Sequence, residues 1–254
     1  MRLKILGCSG GIGGDQRTTS MLVDDDILLD AGTGVGDLTL EQLARIDRVF
    51  VTHSHLDHVA CIPFLVDTVC WMRTKPIIVH ATRQTIQTLK EHLFNWKIWP
   101  DFAQIPDPGN PFMVYREMEV GETVTVGTRK FTAIAANHVV PAIGYLLDSG
   151  KGSLLFSGDT TINDELWAAA NRAENLRYLI VETAFSNKER EIAIASKHLC
   201  PSMLAEELVK LQVSPEIFIT HLKPGEVALT MSEIEKDAAQ WHPRMLENGQ
   251  VFEF

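Results

Sequence analysis

The sequence lacks the features of disulfide-bonded, membrane-spanning and secreted proteins. Its four cysteines, Cys8, Cys61, Cys70 and Cys200, include no C-x-x-C pair. Such scattering is typical of free thiols in a reducing compartment rather than of a disulfide framework. No apolar run reaches membrane-spanning length, and too few apolar residues precede Gly7 to form a secretory signal. We therefore expect a cytoplasmic protein that does not contact membranes.

Positive charge is also scarce, with 23 Lys and Arg residues against 33 Asp and Glu residues and a formal net charge of -10. Binding a long nucleic acid requires clustered Lys and Arg, so we do not expect such a partner. The apolar fraction of 45% is sufficient for a sizeable core. Because no repeat and no Gly-, Ser- or Pro-rich linker divides the chain, the sequence predicts a single domain over residues 1–254.

Short β-branched and apolar runs alternate with helix-like segments along the chain. Predicted strands cover residues 3–6, 20–23, 27–30, 48–52, 77–80, 123–126, 129–135, 144–147, 153–157, 178–181 and 217–220. Predicted helices cover residues 38–46, 59–71 (interrupted early by Pro63), 82–94, 164–172 and 201–211, and Ser232 to Glu235 form a capping-box pattern. Strand meanders followed by late βα units indicate an α/β or α+β layered fold.

Three histidines and a carboxylate stand together in the segment His-Ser-His-Leu-Asp-His at residues 53–58. Alternate residues at the end of a strand point the same way, so His53, His55 and Asp57 are expected to converge while His58 enters as the chain turns. Imidazoles with a carboxylate suit Zn, Mn or Fe better than Ca, and leave a position open for water. Since this pattern arises by chance in roughly one such chain per thousand, it predicts a metal site.

The motif resembles the signature of the metallo-β-lactamase superfamily, whose α/β fold is a four-layer αββα sandwich with a two-metal site. Three later segments match in order, each after a predicted strand: Asn137-His138, Gly158-Asp159 and Thr220-His221. The resemblance implies two divalent ions, with Zn preferred over Mn or Fe. It assigns His53, His55 and His138 to one ion, Asp57, His58 and His221 to the other, and Asp159 to a bridge between them.

Other residues take supporting or structural roles in this interpretation. The Asp30-Ala31-Gly32 turn resembles the early acidic turn of the superfamily, which supports the site without binding metal. Asp57 is interpreted as catalytic as well as a ligand. The histidines outside the motif segments, His80, His92 and His242, are interpreted as structural or surface residues.

A further segment indicates which reaction of the superfamily to expect. Glu182 in Val-Glu-Thr-Ala-Phe, followed by Ser-Lys-His-Leu with His198, resembles the phosphodiesterase branches, both tRNA 3′-processing endonucleases and class II cyclic-nucleotide phosphodiesterases. The resemblance implies that His198 is the general acid and that Glu182 orients it and raises its pKa. The leading hypothesis is hydrolysis of a small nucleotide phosphodiester, 3′,5′-cyclic AMP or GMP, by a metal-bridging hydroxide.

Several alternatives remain open. Ala60 and Cys61 depart from the small Gly or Ser residues of the cyclic-nucleotide group, which leaves the subclass open. A tRNA-processing enzyme needs a basic, Gly-rich arm, whereas the long irregular segment at residues 96–111 is acidic and aromatic and could either stack a purine or pack inward. A thioester or lactone hydrolase and a non-catalytic metal-sensing module are further alternatives. The resemblance also implies a homodimer.

Overall fold

Two seven-stranded mixed β-sheets form the centre of the molecule, and the computed structural model describes residues 1–254. The first sheet contains, in spatial order, β14 (Val251–Glu253), β1 (Arg2–Gly7), β2 (Ser20–Val23), β3 (Ile27–Ala31), β4 (Arg48–Phe50), β5 (Ile77–Ala81) and β6 (Met113–Glu117). Neighbours from β14 to β3 pair antiparallel, and those from β3 to β6 pair parallel. The switch at β3 brings the carboxyl ends of β3, β4 and β5 to one edge of the sheet.

The second sheet repeats this division into an antiparallel and a parallel half. It contains, in spatial order, β13 (Arg244–Met245), β12 (Glu216–Thr220), β11 (Leu176–Glu182), β10 (Ser153–Phe156), β9 (Ala142–Asp148), β8 (Arg129–Ala136) and β7 (Thr123–Val126). Neighbours from β7 to β10 pair antiparallel, and those from β10 to β13 pair parallel.

Helices cover the outer face of each sheet. They are α1 (Leu40–Arg45), α2 (Leu56–Val59), α3 (Cys61–Val69), α4 (Arg83–His92), α5 (Asp164–Arg172), α6 (Arg190–Ser196), α7 (Pro201–Leu208) and α8 (Val227–Asp237). Apolar residues of α2 to α4 pack on the first sheet, and those of α5 to α8 pack on the second. No helix in the structure combines the length and the apolar character needed to cross a membrane.

Side-chain alternation along the strands separates three buried clusters. In β3, Ile27 and Leu29 point into the cluster between the sheets, where Phe131 and Tyr145 meet them, whereas Leu28 points to the outer helices. This period of two is what a strand buried on both faces requires. The arrangement confirms the predicted four-layer αββα sandwich of the α/β class.

The predicted strands are all present, but three edge strands were missed. β6 and β14 flank the first sheet and β13 flanks the second. An edge strand has one partner and one open side, so it needs less burial and carries a weaker apolar pattern. β13 shows this most clearly, since it consists of only Arg244 and Met245 and both are exposed.

Two predictions about helix boundaries were wrong. The Ser232 pattern does not begin a helix, because α8 starts at Val227 and the Ser232 hydroxyl donates to the Leu229 carbonyl at 2.9 Å within it. Pro63 does not interrupt a helix either. It lies in the first turn of α3, where its missing N–H is not needed, and the break falls at Ala60.

The irregular segment at residues 96–111 packs part of its aromatic content inward. Phe102 is only 2% exposed and joins the outer core of the first sheet. Trp99 packs edge-on against Phe64 of α3, with ring centroids 5.2 Å apart. Trp96 stays exposed. The segment therefore covers the α3 side of the first sheet.

His80 is a structural histidine in β5, as the sequence indicated. Its ring stacks on Phe50 with centroids 4.4 Å apart, and its Nε2 accepts from Arg48 at 3.1 Å. Burial, with Arg48 and Arg116 nearby, lowers the pKa of His80 to about 4. The imidazole is therefore neutral in the folded protein at pH values where it would be protonated in the unfolded chain.

We predict that this difference makes His80 a source of acid instability. Because its pKa is lower in the folded state, stability falls as pH drops from about 6.5 to about 4, by up to about 1.4 kcal/mol per pH unit. His80→Gln, which keeps an acceptor for Arg48, should flatten this part of the curve. Urea unfolding of chelator-treated protein measures it, with the exposed His92→Gln as the control. Parallel wild-type and His80→Gln curves would contradict the assignment.

Candidate metal centre

The predicted ligands lie in loops that leave the carboxyl ends of four strands. His53 and His55 follow β4, His138 follows β8, Asp159 follows β10 and His221 follows β12. The expectation that Asp57 continues the extended chain was wrong. The backbone turns into α2 at Leu56, so Asp57 lies in the first helical turn. After this turn Asp57 Oδ2 lies 3.7 Å from His221 Nε2, and the His58 ring lies between those of His53 and His221, with centroids 4.2 and 5.5 Å away.

Asp159 is the centre of the cluster. Its Oδ2 lies 3.6 Å from His53 Nε2, 3.4 Å from His58 Nε2, 3.4 Å from His221 Nε2 and 4.0 Å from His138 Nε2. These separations exceed a normal hydrogen bond. Ligand atoms at zinc distances from one shared tetrahedral ion lie about 3.4 Å apart. The spacing therefore suits cations between the donors better than direct contact.

The seven predicted residues fall into two groups that share Asp159. One consists of His53, His55, His138 and Asp159, and the other of Asp57, His58, Asp159 and His221. Within each group, one ligand atom per residue lies within 4.8 Å of the others. This is the division that the family resemblance implies.

Three buried imidazole nitrogens in the cluster have no hydrogen-bond partner, and two of them, His53 Nε2 and His58 Nε2, face Asp159. In His53 and His58 the other ring nitrogen, Nδ1, has a hydrogen-bond partner on the side away from Asp159. The Thr52 hydroxyl donates to Asp30 Oδ2 at 2.8 Å and is therefore free to accept from His53 Nδ1 at 3.0 Å, while His58 Nδ1 donates to Asp30 at 2.7 Å. Leaving such atoms buried and unpaired is costly, so the residues fit a bound cation.

The protonation states also suit metal binding. Burial lowers the pKa of His53 well below its usual value, that of His138 to about 4 and that of His221 to about 3. Burial opposes ionisation of Asp159, but His221 and His58 outweigh it and hold the pKa of that carboxyl well below its usual range. The rings of His53, His138 and His221 are therefore neutral and the Asp159 carboxylate is charged at neutral pH, which are the forms that bind metal. His58 differs, because Asp159 and Asp30 outweigh burial and raise its pKa well above the usual value, so a bound cation would have to replace its second proton.

Asp30 supports the cluster without facing it. It is fully buried, and its Oδ1 accepts from the Thr52 backbone N–H at 2.8 Å. One carboxylate therefore fixes the start of the histidine loop through Thr52 and orients His58. Acceptors of this kind behind a ligating histidine set its tautomer and raise its basicity.

The predicted His198 and Glu182 lie together beside the two groups. His198 Nδ1 donates to Glu182 Oε1 at 2.8 Å, and Glu182 also accepts from the Thr160 backbone at 3.1 Å. The His198 ring stacks on that of His221, with centroids 5.2 Å apart. Burial opposes protonation of His198, but Glu182 outweighs it and raises the pKa.

Two residues that support the clustered histidines were not predicted from the sequence. Lys197 ends α6 in a left-handed conformation with φ of 53°, and its carbonyl accepts from His138 Nδ1 at 3.1 Å. Thr52 supplies the hydroxyl that supports His53. A backbone carbonyl carries no residue-type signal. Thr52 could have been found from its position beside the motif.

Comparison with known proteins agrees with this geometry. A family model for the beta-lactamase superfamily domain matches residues 26–239. The chain belongs to the metallo-β-lactamase superfamily. A probable 3′,5′-cyclic-nucleotide phosphodiesterase from Yersinia pestis is 25% identical over 87% of this chain and 77% of its own length. A ribonuclease Z from Haloarcula marismortui is 32% identical over 58% of this chain and 47% of its own.

The fold is shared with solved structures of the superfamily. Unliganded yeast PDE1 superposes with a TM-score of 0.83 at 16% identity, over all of this chain and 99% of its own. The shared fold and the family match together identify the chain as a metallo-β-lactamase-fold hydrolase with His and Asp groups that could bind metal.

We predict that Asp30→Asn weakens metal binding while leaving the fold intact. The amide can still accept from Thr52, but an amide N–H facing His58 would oppose the ring tautomer that leaves Nε2 free. Losing such a support typically costs 10–100-fold in metal affinity. Competition with a chromogenic chelator measures the effect, and the exposed Asp25→Asn is the matched control. Equal zinc affinity in wild type and Asp30→Asn would show that Asp30 is not needed to orient His58.

Proposed function

We propose that the protein is a two-metal phosphodiesterase that hydrolyses a small 3′,5′-cyclic nucleotide. The observation that carries the proposal is the His198–Glu182 pair, held at 2.8 Å beside the two ligand groups. A hydrolase that expels a stabilised leaving group has little need of a general acid. Expelling a ribose alkoxide does need one.

The two ions are assigned to the groups that share Asp159, with zinc preferred because imidazole and carboxylate ligands suit it. Bound there, they would supply Lewis acidity towards the phosphoryl group and an activated water as nucleophile. The chain's own residues would hold these ions and supply the proton for the leaving group. Asp57 is 27% exposed at its side chain, which is more than the buried histidines show, and it lies on the open side of the cluster.

Glu182 determines which His198 atom gives up the proton. Because Nδ1 donates to the buried carboxylate, the second proton of the imidazolium lies on Nε2. The raised pKa of His198 keeps a protonated fraction available near neutral pH. As the bond between phosphorus and the ribose oxygen breaks, His198 Nε2 transfers its proton to that oxygen, and Glu182 stabilises the charged ring beforehand.

A small substrate is favoured over RNA. The chain has a net charge of -10, and its long irregular segment at residues 96–111 packs against α3 instead of projecting as a basic arm. The Yersinia pestis relative, a probable cyclic-nucleotide phosphodiesterase, matches most of this chain, whereas the Haloarcula marismortui ribonuclease Z matches 58% of it. A hydrolysis panel with cyclic AMP, cyclic GMP, a pre-tRNA and a thioester tests the choice. Turnover of only the pre-tRNA would refute the proposal in favour of a tRNA-processing enzyme, and turnover of only the thioester would refute it in favour of a thioester hydrolase.

We predict two metal ions per chain in zinc- or manganese-loaded protein. Since Asp159 belongs to both ligand groups, Asp159→Ala should lower the metal content and abolish turnover together. Elemental analysis after gel filtration measures the content. One ion per chain in fully loaded wild type would refute the two-metal assignment, and unchanged content in Asp159→Ala would refute the bridge.

We predict that His198→Ala loses activity according to the leaving group. Protonating a ribose alkoxide is worth on the order of a hundredfold or more, whereas nitrophenolate leaves without help. The variant should be severely impaired on cyclic AMP and keep most of its rate on bis(p-nitrophenyl) phosphate. Steady-state kinetics with both substrates measures this.

Glu182→Gln tests the supporting half of the pair and should show the same pattern more mildly. Metal content is measured in parallel, because His198 stacks on His221. Equal slowing of both substrates in His198→Ala, with metals retained, would reassign His198 to positioning the phosphate.

A further inference from the structure

Two lysines flank His198, one on each side of its ring. The His198 ring lies between those of His138 and His221, with centroids 4.9 and 5.2 Å away. Lys197 supports His138 through its carbonyl, and Lys223 follows His221 by two residues. The general-acid candidate thus has an ammonium-bearing residue beside each neighbouring imidazole.

Lys223 is held close to His221. A Cβ placed on Gly10 would lie 3.1 Å from both Lys223 Cδ and His221 Cδ2, so the lysine stem and the imidazole border the same small space. The ammonium donates to the Gly10 carbonyl at 2.7 Å, and the Lys223 backbone N–H donates to the Ala184 carbonyl at 3.1 Å. One of its three N–H groups is therefore used, and the side chain is fixed but half-buried.

The charge of Lys223 reaches the catalytic groups. Burial lowers the pKa of His221, and Lys223 acts in the same direction. For His198, Glu182 outweighs burial and raises the pKa, while Lys223 opposes this rise. An ammonium group whose charge acts on both imidazoles also acts on an anion bound beside them.

Lys197 occupies the opposite flank. Its ammonium donates to Asn137 Oδ1 at 3.2 Å, beside His138, and its side chain is exposed. Its left-handed backbone fixes where the side chain leaves the loop. Neither lysine forms an ion pair with a carboxylate, in contrast to Lys130, Lys188 and Lys210. Both ammonium groups can therefore bind an external anion.

We propose that Lys197 and Lys223 form an ammonium pair that binds non-bridging oxygens of the substrate phosphate and selects anionic diesters over neutral esters. This inference rests on the proposed phosphodiesterase function. In a chain of net charge -10, an anionic substrate approaches against a repulsive field. The two lysine ammonium groups weaken that repulsion beside the site. Lysine suits this role because it is a flexible point charge with three donors.

Lys197→Met and Lys223→Met, alone and together, test the pair. Inorganic phosphate binding to metal-loaded protein is measured by isothermal titration calorimetry, independently of turnover. We expect on the order of tenfold weaker binding in the double variant at low salt, and a smaller difference at high salt, where screening weakens the charges. For bis(p-nitrophenyl) phosphate, KM should rise with little change in kcat.

Matched variants separate charge from structure. Lys151→Met removes an exposed lysine in the turn between β9 and β10 and should bind phosphate like wild type. Lys197→Arg and Lys223→Arg should keep most of the affinity. Unchanged phosphate binding in the double Met variant overturns the proposal. So does equal weakening in the Arg variants, or loss of metal in the Met variants, since either would assign the lysines a structural role.

Failure of the underlying function gives a different result. If wild-type protein hydrolyses neither cyclic AMP nor bis(p-nitrophenyl) phosphate, the phosphodiesterase proposal fails. Calorimetry with phosphate then still decides whether the ammonium pair binds an oxyanion. If wild type hydrolyses the diesters and the double Met variant matches it in phosphate affinity and in KM, the ammonium pair is refuted and the phosphodiesterase proposal stands.

Discussion

The Asp159 carboxylate, enclosed by imidazole nitrogens at 3.4 to 4.0 Å, is the constraint on which the rest of the site depends. A buried carboxylate at this spacing has too little direct hydrogen bonding to repay its desolvation. It needs positive charge between itself and the rings. Every other feature of the site either positions those rings or prevents them from turning away.

The sandwich meets this requirement through its topology. The ligand loops follow β4 in one sheet and β8, β10 and β12 in the other, so the carboxyl ends of strands from both sheets meet at one edge. Three buried clusters fix the sheets relative to each other and to the helices. Short loops on this rigid support can hold ligands to the accuracy that a metal site needs.

Local signals in the sequence predicted a layered fold, through the alternating apolar residues of the central strands, and a metal site, through the dense histidines at residues 53–58. The four-layer form and the three later members of the cluster, His138, Asp159 and His221, followed from the family resemblance. Sequence reasoning failed where the signal is weak or absent. β13 has two exposed residues, Ser232 matches a cap pattern inside a helix, and Lys197 acts through a carbonyl that any residue could supply. Asp57 was placed on a strand because periodicity cannot reveal where a chain turns.

Asp30 and Glu182 show how one chemical device takes two roles. Each is a buried carboxylate that accepts from the Nδ1 of one histidine, at 2.7 Å for His58 and 2.8 Å for His198. The difference lies at the opposite ring nitrogen. His58 Nε2 faces Asp159 at 3.4 Å, where a cation can replace the proton, whereas His198 belongs to neither ligand group. In the proposed mechanism the carboxylate therefore prepares a metal ligand in the first case and a proton donor in the second, because the space beyond the ring decides what binds there.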